Sequence, residues 1–194
     1  MTSKVSICNL ALANVAANPI SSIDEASAEA RACRLFYDHA LDALLQRYPW
    51  EFAGSTQALA EVINTKPRKW GKAFRRPSDC LKVRRVTDEL MLDDTDAIGV
   101  PYEVEGEVIF TDLPVAYLKY TSRQADPTKF PPLFVEALSW HLAVKLAMPL
   151  TRDPKIRADA FQLAERLTGS AEVADANETR TSMDTPVAAL EARK

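Results

Sequence analysis

The chain has 194 residues, 47% of them hydrophobic and 26% charged, with a net charge of −3, the make-up of one ordinary globular domain with room for a smaller elaboration. Folding at this size buries roughly 70% of the unfolded-chain surface, so neither a disulfide nor a metal is needed to hold it. Five glycines against twelve prolines argue against a glycine-rich loop fold, and the acidic balance argues against a regulator that relies on bulk attraction to DNA.

No apolar run approaches the ~18–20 residues of a membrane span. Lys4 and the apolar stretch to Ala17 have the outline of a weak signal peptide. Helical spacing, interrupted by Asn9 and Asn14, makes the stretch a core helix instead. That helix runs from about Ser3 to Ala17 on the stripe Val5, Cys8, Leu12 and Val15, and Asn18-Pro19 stops it. A second helix spans about Glu25 to Arg47, capped by Asp24 or Ser27, with Cys33, Tyr37, Leu41, Leu44 and Tyr48 on one face and Pro49 at its end.

From 50 to 130 the pattern changes to alternation. Trp50 with Phe52, Leu81 with Val83, Tyr102 with Val104, Val108 to Phe110 and Val115 to Tyr120 predict a small antiparallel sheet. Lys82 and Arg84 fall on the outer face of that alternation, Gly106 makes a turn, and Asp93 to Asp96 form a loop tip. A third helix runs from Pro132 to about Met148 on Leu138, Leu142 and Leu146, ending at Pro149. Asp153-Pro154 starts a fourth, which runs to about Ala176 on the narrow stripe Ile156, Ala160, Leu163, Leu167, Ala171 and Ala174. The expected fold is α+β: a four-helix bundle from 1–49 and 131–176, a β-rich insertion over 50–130, and an extended tail over 177–194.

The chemistry is sparse. There is no phosphate-binding loop, G-x-G-x-x-G, H-E-x-x-H or nucleophile elbow. Cys8, Cys33 and Cys80 are an odd set without C-x-x-C spacing, so they give no disulfide framework and no zinc site; they suit a reducing cytoplasm. His39 lies beside Asp38 and Asp42 on a helix, and His141 beside Trp140 and Leu142 in a packed one; both read as structure. Glu25 with Glu29, and Glu103 with Glu105, are the pairs a glycosidase-type reading would use. No catalytic residue, cofactor site or metal site is assigned.

One charge feature stands out. Between Lys66 and Arg85 lie Lys66, Arg68, Lys69, Lys72, Arg75, Arg76, Lys82, Arg84 and Arg85, with Asp79 the sole acid, a net +8 in a chain of net −3. Trp70 and Phe74 interleave with the bases, as in nucleic-acid surfaces. A solvated, salt-bridged face is the plain alternative. Arg68, Lys69, Arg75 and Arg76 are the candidate partner residues, and Met183, Val187 and Leu190, isolated apolar residues of the tail, are candidates for a clasp.

Several stretches, taken in order, resemble the phage head-to-tail adaptors, the tail tubular protein A or head–tail connector family. They are Cys8 to Leu12, Pro19 to Glu25, Ala30 to Tyr37, Tyr48 to Ala53, Pro77 to Val86, Tyr102 to Gly106 with Ile109, Tyr117 to Arg123 and Phe134 to Pro149. Together they cover about residues 5 to 178. Arg76 stands where the family usually has an apolar residue. The resemblance implies a dodecameric ring in the neck of a virion, made in the host cytoplasm. Such a ring docks under the portal protein, offers a platform to a tail nozzle or other tail protein, and lets genomic DNA pass without sequence-specific binding. It implies no catalysis, no cofactor and no membrane. Two other classes stay open on the sequence alone, a virion-associated cell-wall hydrolase and a DNA-binding regulator.

Overall fold

The computed structural model describes residues 2–91 and 99–178. The expected Asp93–Asp96 loop tip, and Met183, Val187 and Leu190 of the tail, lie outside the described residues.

Four helices form close to where periodicity and caps predict them, although the first stops at Asn14, before the expected Asn18-Pro19 stop, and the second starts at Ala28 rather than Glu25. Helix α1 spans Lys4–Asn14, and its N-cap Ser3 makes a reciprocal capping box with Ser6. Helix α2 spans Ala28–Arg47, capped by the Ser27 hydroxyl, which accepts from the Ala30 N–H. Helix α3 covers Pro132–Thr151 and α4 Pro154–Glu178. The Asp153 carboxylate accepts from the Lys155 N–H at 2.8 Å, as an N-cap should. Pro149 does not end α3 but sits inside its last turn. Proline removes only one bond there, and the left-handed Arg152 closes the helix by donating its N–H to the Met148 carbonyl. Likewise Asn177 and Glu178, expected in the tail, belong to α4.

The helices do not make a bundle of four equal members. Helix α3 packs against each of the other three, while α1 and α2 meet only over a short stretch. The cause is in α3 itself. Phe134, Val135, Ala137, Leu138, Leu142, Ala143, Leu146 and Ala147 are all buried and cover more than one face, as a central helix requires. Its length and apolar composition alone would let it cross a membrane, but here those residues face the other helices. The alanines of α4, Ala160, Ala164 and Ala171, let its backbone lie close against α3.

Nor is there one sheet. Strands β1 (Gly54–Ala58), β6 (Tyr117–Ser122) and β3 (Cys80–Thr87) form one antiparallel sheet in the order β1-β6-β3. Strands β2 (Lys72–Arg75), β5 (Val108–Thr111) and β4 (Tyr102–Glu105) form another in the order β2-β5-β4. Leu59, Phe74, Cys80, Val86, Ile109, Leu118 and Tyr120 fill a small core between them. Two three-stranded sheets each bury one face against the other, which a lone sheet of this size could not do. Gly106, at φ +57°, turns β4 into β5 through a two-residue loop, a conformation that suits glycine.

Trp50 and Phe52 are not in a strand. Glu51–Ala53 is a single 3-10 turn, and Trp50 lies 1% exposed in the helical core with its indole N–H on the Leu44 carbonyl at 2.8 Å. Its ring meets Phe134 edge-on at 5.0 Å; Phe52 meets Phe134 at 4.7 Å and Phe130 at 5.8 Å. Edge contacts of this kind add about 0.5–1.5 kcal/mol each beyond burial, so the turn that leads into the sheets is pinned to α3.

Candidate functional site

The basic segment occupies the loop before β2, then β2 and β3, and antiparallel pairing supplies most of its bases with partners. Lys66 reaches Glu103 at 2.7 Å and also Glu105, and Lys69 reaches Glu103 at 2.5 Å. Lys72 pairs with Glu61 at 2.6 Å. Arg76 donates to the Cys80 carbonyl at 2.5 Å and Lys82 to the Gln46 carbonyl at 3.2 Å. Glu103 also accepts from the Trp70 indole N–H at 2.8 Å. Its bonds from Lys66, Lys69 and Trp70 hold its carboxyl down at about 2.

Arg84 breaks the expected alternation. Two register shifts in β3 leave Leu81 and Arg84 as extra residues opposite β6, and each bulge reverses the in–out phase of the strand beyond it. Arg84 therefore turns inward. Its side chain is 8% exposed, and it donates to the Trp50 carbonyl at 2.6 Å and the Thr121 hydroxyl at 2.9 Å. Glu51 stands 3.8 Å from it. Asp175 of α4 joins this junction by accepting from the Glu51 N–H at 3.1 Å, and burial pushes its carboxyl up. The fold thus uses Arg84 to fasten the first sheet to the helices.

Arg85 is half-buried and partnered, which leaves Arg68 and Arg75. Both are exposed, and among the described residues neither forms an ion pair. They line different clefts. Arg68 is in the loop before β2, next to Lys69; Arg75 ends β2 and, with Arg76, Gln57, Ser78 and Glu107, lines a cleft of about 520 Å³ at the edge of both sheets. The structure brings Arg75 and Arg76 together, and Arg68 and Lys69 together, but not all four into one patch. Phe74 is 2% exposed in the inter-sheet core and offers no face for stacking. Trp70 is half-buried and tied to Glu103.

In each glutamate pair one member suits the ionised role of a glycosidase pair rather than that of the acid, which must keep its proton near neutrality. Hydrogen bonds from Ser27 and Ser21 hold Glu25 at about 2, and Glu103 is similarly depressed. His141 is buried enough to lower its pKa, and its Nε2 lies 2.8 Å from the Thr168 hydroxyl. That hydroxyl already donates to the Ala164 carbonyl at 2.7 Å, so it accepts from a neutral, Nε2-protonated ring. His39 is exposed. Among the described residues no group of three His, Cys, Asp or Glu side chains is arranged to hold a metal. Cys8 and Cys33, 25 positions apart in sequence, meet between α1 and α2 in the core; the contact and burial push the Cys8 thiol up. No local pattern signals that contact, because it depends on how two helices cross.

No family model matches the chain, and no curated protein matches it.

Proposed function

We propose that the chain is a structural subunit of a phage neck, assembled with copies of itself into a dodecameric ring between the portal protein and the tail. The observation that carries the reading is where the resembling stretches fall. Two of them, Pro19 to Glu25 and Tyr48 to Ala53, are connections between elements, and residues of several others tie elements together. Asn9 exchanges two hydrogen bonds with the backbone of Ile20. Glu25 gathers Ser21, Ser22 and Ser27. Tyr48 to Ala53 carries the chain from α2 into the sheets around Trp50. Asp79 accepts from the buried Tyr120 hydroxyl at 3.2 Å, and Arg123 reaches back to Asp42 of α2 at 2.8 Å. Recognisable residues used to brace the chain's own junctions suit a mechanical part better than a catalyst.

On this reading Arg68 and Arg75 meet an acidic neighbour or passing DNA, and the tail clasps the portal. The 16 residues from 179 to 194 could reach on the order of 50 Å when extended, enough to lie along an adjoining subunit. Repetition round a ring makes a modest contact per copy sufficient. Negative-stain imaging of the chain mixed with portal rings tests the assignment, and added density with the portal's symmetry is expected. Clearing of peptidoglycan by the purified chain, abolished by one carboxylate-to-amide change, would replace the reading with a cell-wall hydrolase. Truncation after Glu178 should leave the melting of the free chain nearly unchanged and abolish portal binding in sedimentation. Retained binding would move the interface onto the helices.

A further inference from the structure

An apolar groove of about 200 Å³ opens where the start of α3 meets the end of α4. Trp50 and Phe134 form its floor, Leu133 one wall, and the small side chains of Ala171 and Ala174 the other. Leu133 is 43% exposed although it lies beside a buried aromatic cluster. Asp175 and Glu178 line the same groove and make its helix side acidic.

We propose that this groove holds the chain's own C-terminal segment, with Met183 as the side chain that enters it. Several features select that occupant. Glu178, the last described residue of α4, is itself on the groove, so the segment 179–194 continues from its mouth. Residues 179–182, Thr-Arg-Thr-Ser, are polar, and Met183 is the first large apolar residue after Glu178. Five residues from Glu178 to Met183 extend at most about 17 Å, whereas the seven helical residues from Ala171 to Glu178 rise only about 10 Å, so a reversed chain reaches the whole groove. Arg180, in the same segment, is opposite in charge to Asp175 and Glu178 on the groove. Methionine's unbranched, flexible side chain suits a narrow cleft walled by alanines. The gain from burying one such side chain is of the same order as the cost of ordering the residues that carry it. Docking is therefore reversible, and any partner that takes the tail competes with the groove.

The proposal concerns the free chain and does not rest on the ring reading. Its test uses the full-length protein with L133C/M183C, compared with L133C/A189C, under oxidised glutathione. In each variant the two introduced thiols would lose two protons and two electrons to the glutathione disulfide and form one intramolecular disulfide. Any tethered tail has a millimolar effective concentration near the groove, so the comparison carries the meaning. The M183C variant should close at least about tenfold faster than the A189C variant, independent of protein dilution. L133C alone should be protected from iodoacetamide, and M183D should remove the protection. Equal closure rates and no protection would mean the tail ignores the groove. A disulfide-linked dimer whose yield falls on dilution would give the groove to a second copy's tail. Either result overturns the proposal, and neither involves the portal.

Discussion

Replacing Arg84 with Met tests the joint between the sheets and the helices. The Arg84 side chain is 8% exposed and bonds the Trp50 carbonyl at 2.6 Å and the Thr121 hydroxyl at 2.9 Å. A hydrogen bond from a charged donor contributes about 1.5–3 kcal/mol, so the two together contribute about 3–6 kcal/mol. Holding a guanidinium out of water costs several kcal/mol and offsets much of that. Methionine keeps most of the apolar stem, so little packing is lost. The Trp50 carbonyl keeps the Ala53 N–H at 3.1 Å as a donor, so no buried acceptor is stranded there. The expected net loss is about 1–3 kcal/mol. Equilibrium urea unfolding, followed by circular dichroism and tryptophan fluorescence, measures it, with an unchanged slope showing that the unfolded state is unaffected. Lysine at the same position keeps the charge but not the forked donor, and should fall between the two. A loss under about 0.5 kcal/mol, or a gain, would refute the reasoning, because the desolvation of Arg84 would then match or exceed its bonds.

Leu41, 2% exposed in α2, should cost about 2–5 kcal/mol when cut to Ala; a urea midpoint that hardly moves would place its stripe outside the core. Asp175 has a folded pKa raised above 3.8 by burial, so the folded state binds the extra proton and stability falls as pH rises through the window above 3.8. Asp175→Asn lacks that loss, so its stability relative to wild type should rise with pH across the window and then level off in paired urea melts; a flat or falling difference counts against it. The double reversal R68E/R75E should leave the free chain within about 0.5 kcal/mol of wild type and impair ring or portal assembly; normal infectious particles would make both residues solvated surface.

Much of the helical half was legible because a 3.6-residue stripe and a cap are local signals. Cys8, Leu12, Leu41, Leu44, Leu138, Leu142 and Leu146 are all buried as their spacing predicts. On α4 the buried face is Ala160, Ala164, Thr168, Ala171 and Asp175, not the expected stripe, of which Ile156, Leu163, Leu167 and Ala174 are only half-buried; Thr168 and Asp175 find their partners, His141 and the Glu51 N–H, elsewhere in the chain. In the sheets the failures have definite causes. The bulges in β3 shift the phase of the alternation and turn Arg84 from the outer to the inner face. Strand β1, Gly-Ser-Thr-Gln-Ala, has mostly exposed side chains and so no apolar alternation to read. Strand β2 lay hidden within the basic run because only Ala73 and Phe74 in it are buried. Trp50 and Phe52 share a short turn whose shape is set by aromatic packing against α3, which period-two reasoning cannot see.

The charge pattern shows the same difference between chain and space. A net +8 between Lys66 and Arg85 reads as a patch only while the sequence is linear. Folding lays Glu103 and Glu105 of β4 beside Lys66 and Lys69, puts Glu61 on Lys72, and draws Arg84 inside. Two exposed arginines without an ion pair among the described residues, Arg68 and Arg75, then stand on different clefts. That changes the kind of contact the segment can make. If all nine bases met phosphates, the logarithm of affinity for duplex DNA would fall with the logarithm of salt at a slope of about −8; two contacts give about −2. A slope near −2 would fit DNA that slides past a ring without being gripped by it. A slope of about −4 to −5 would mean that the ion pairs with Glu61, Glu103 and Glu105 open to release Lys66, Lys69 and Lys72, and that the acids of the sheets, rather than a partner, hold those lysines closed.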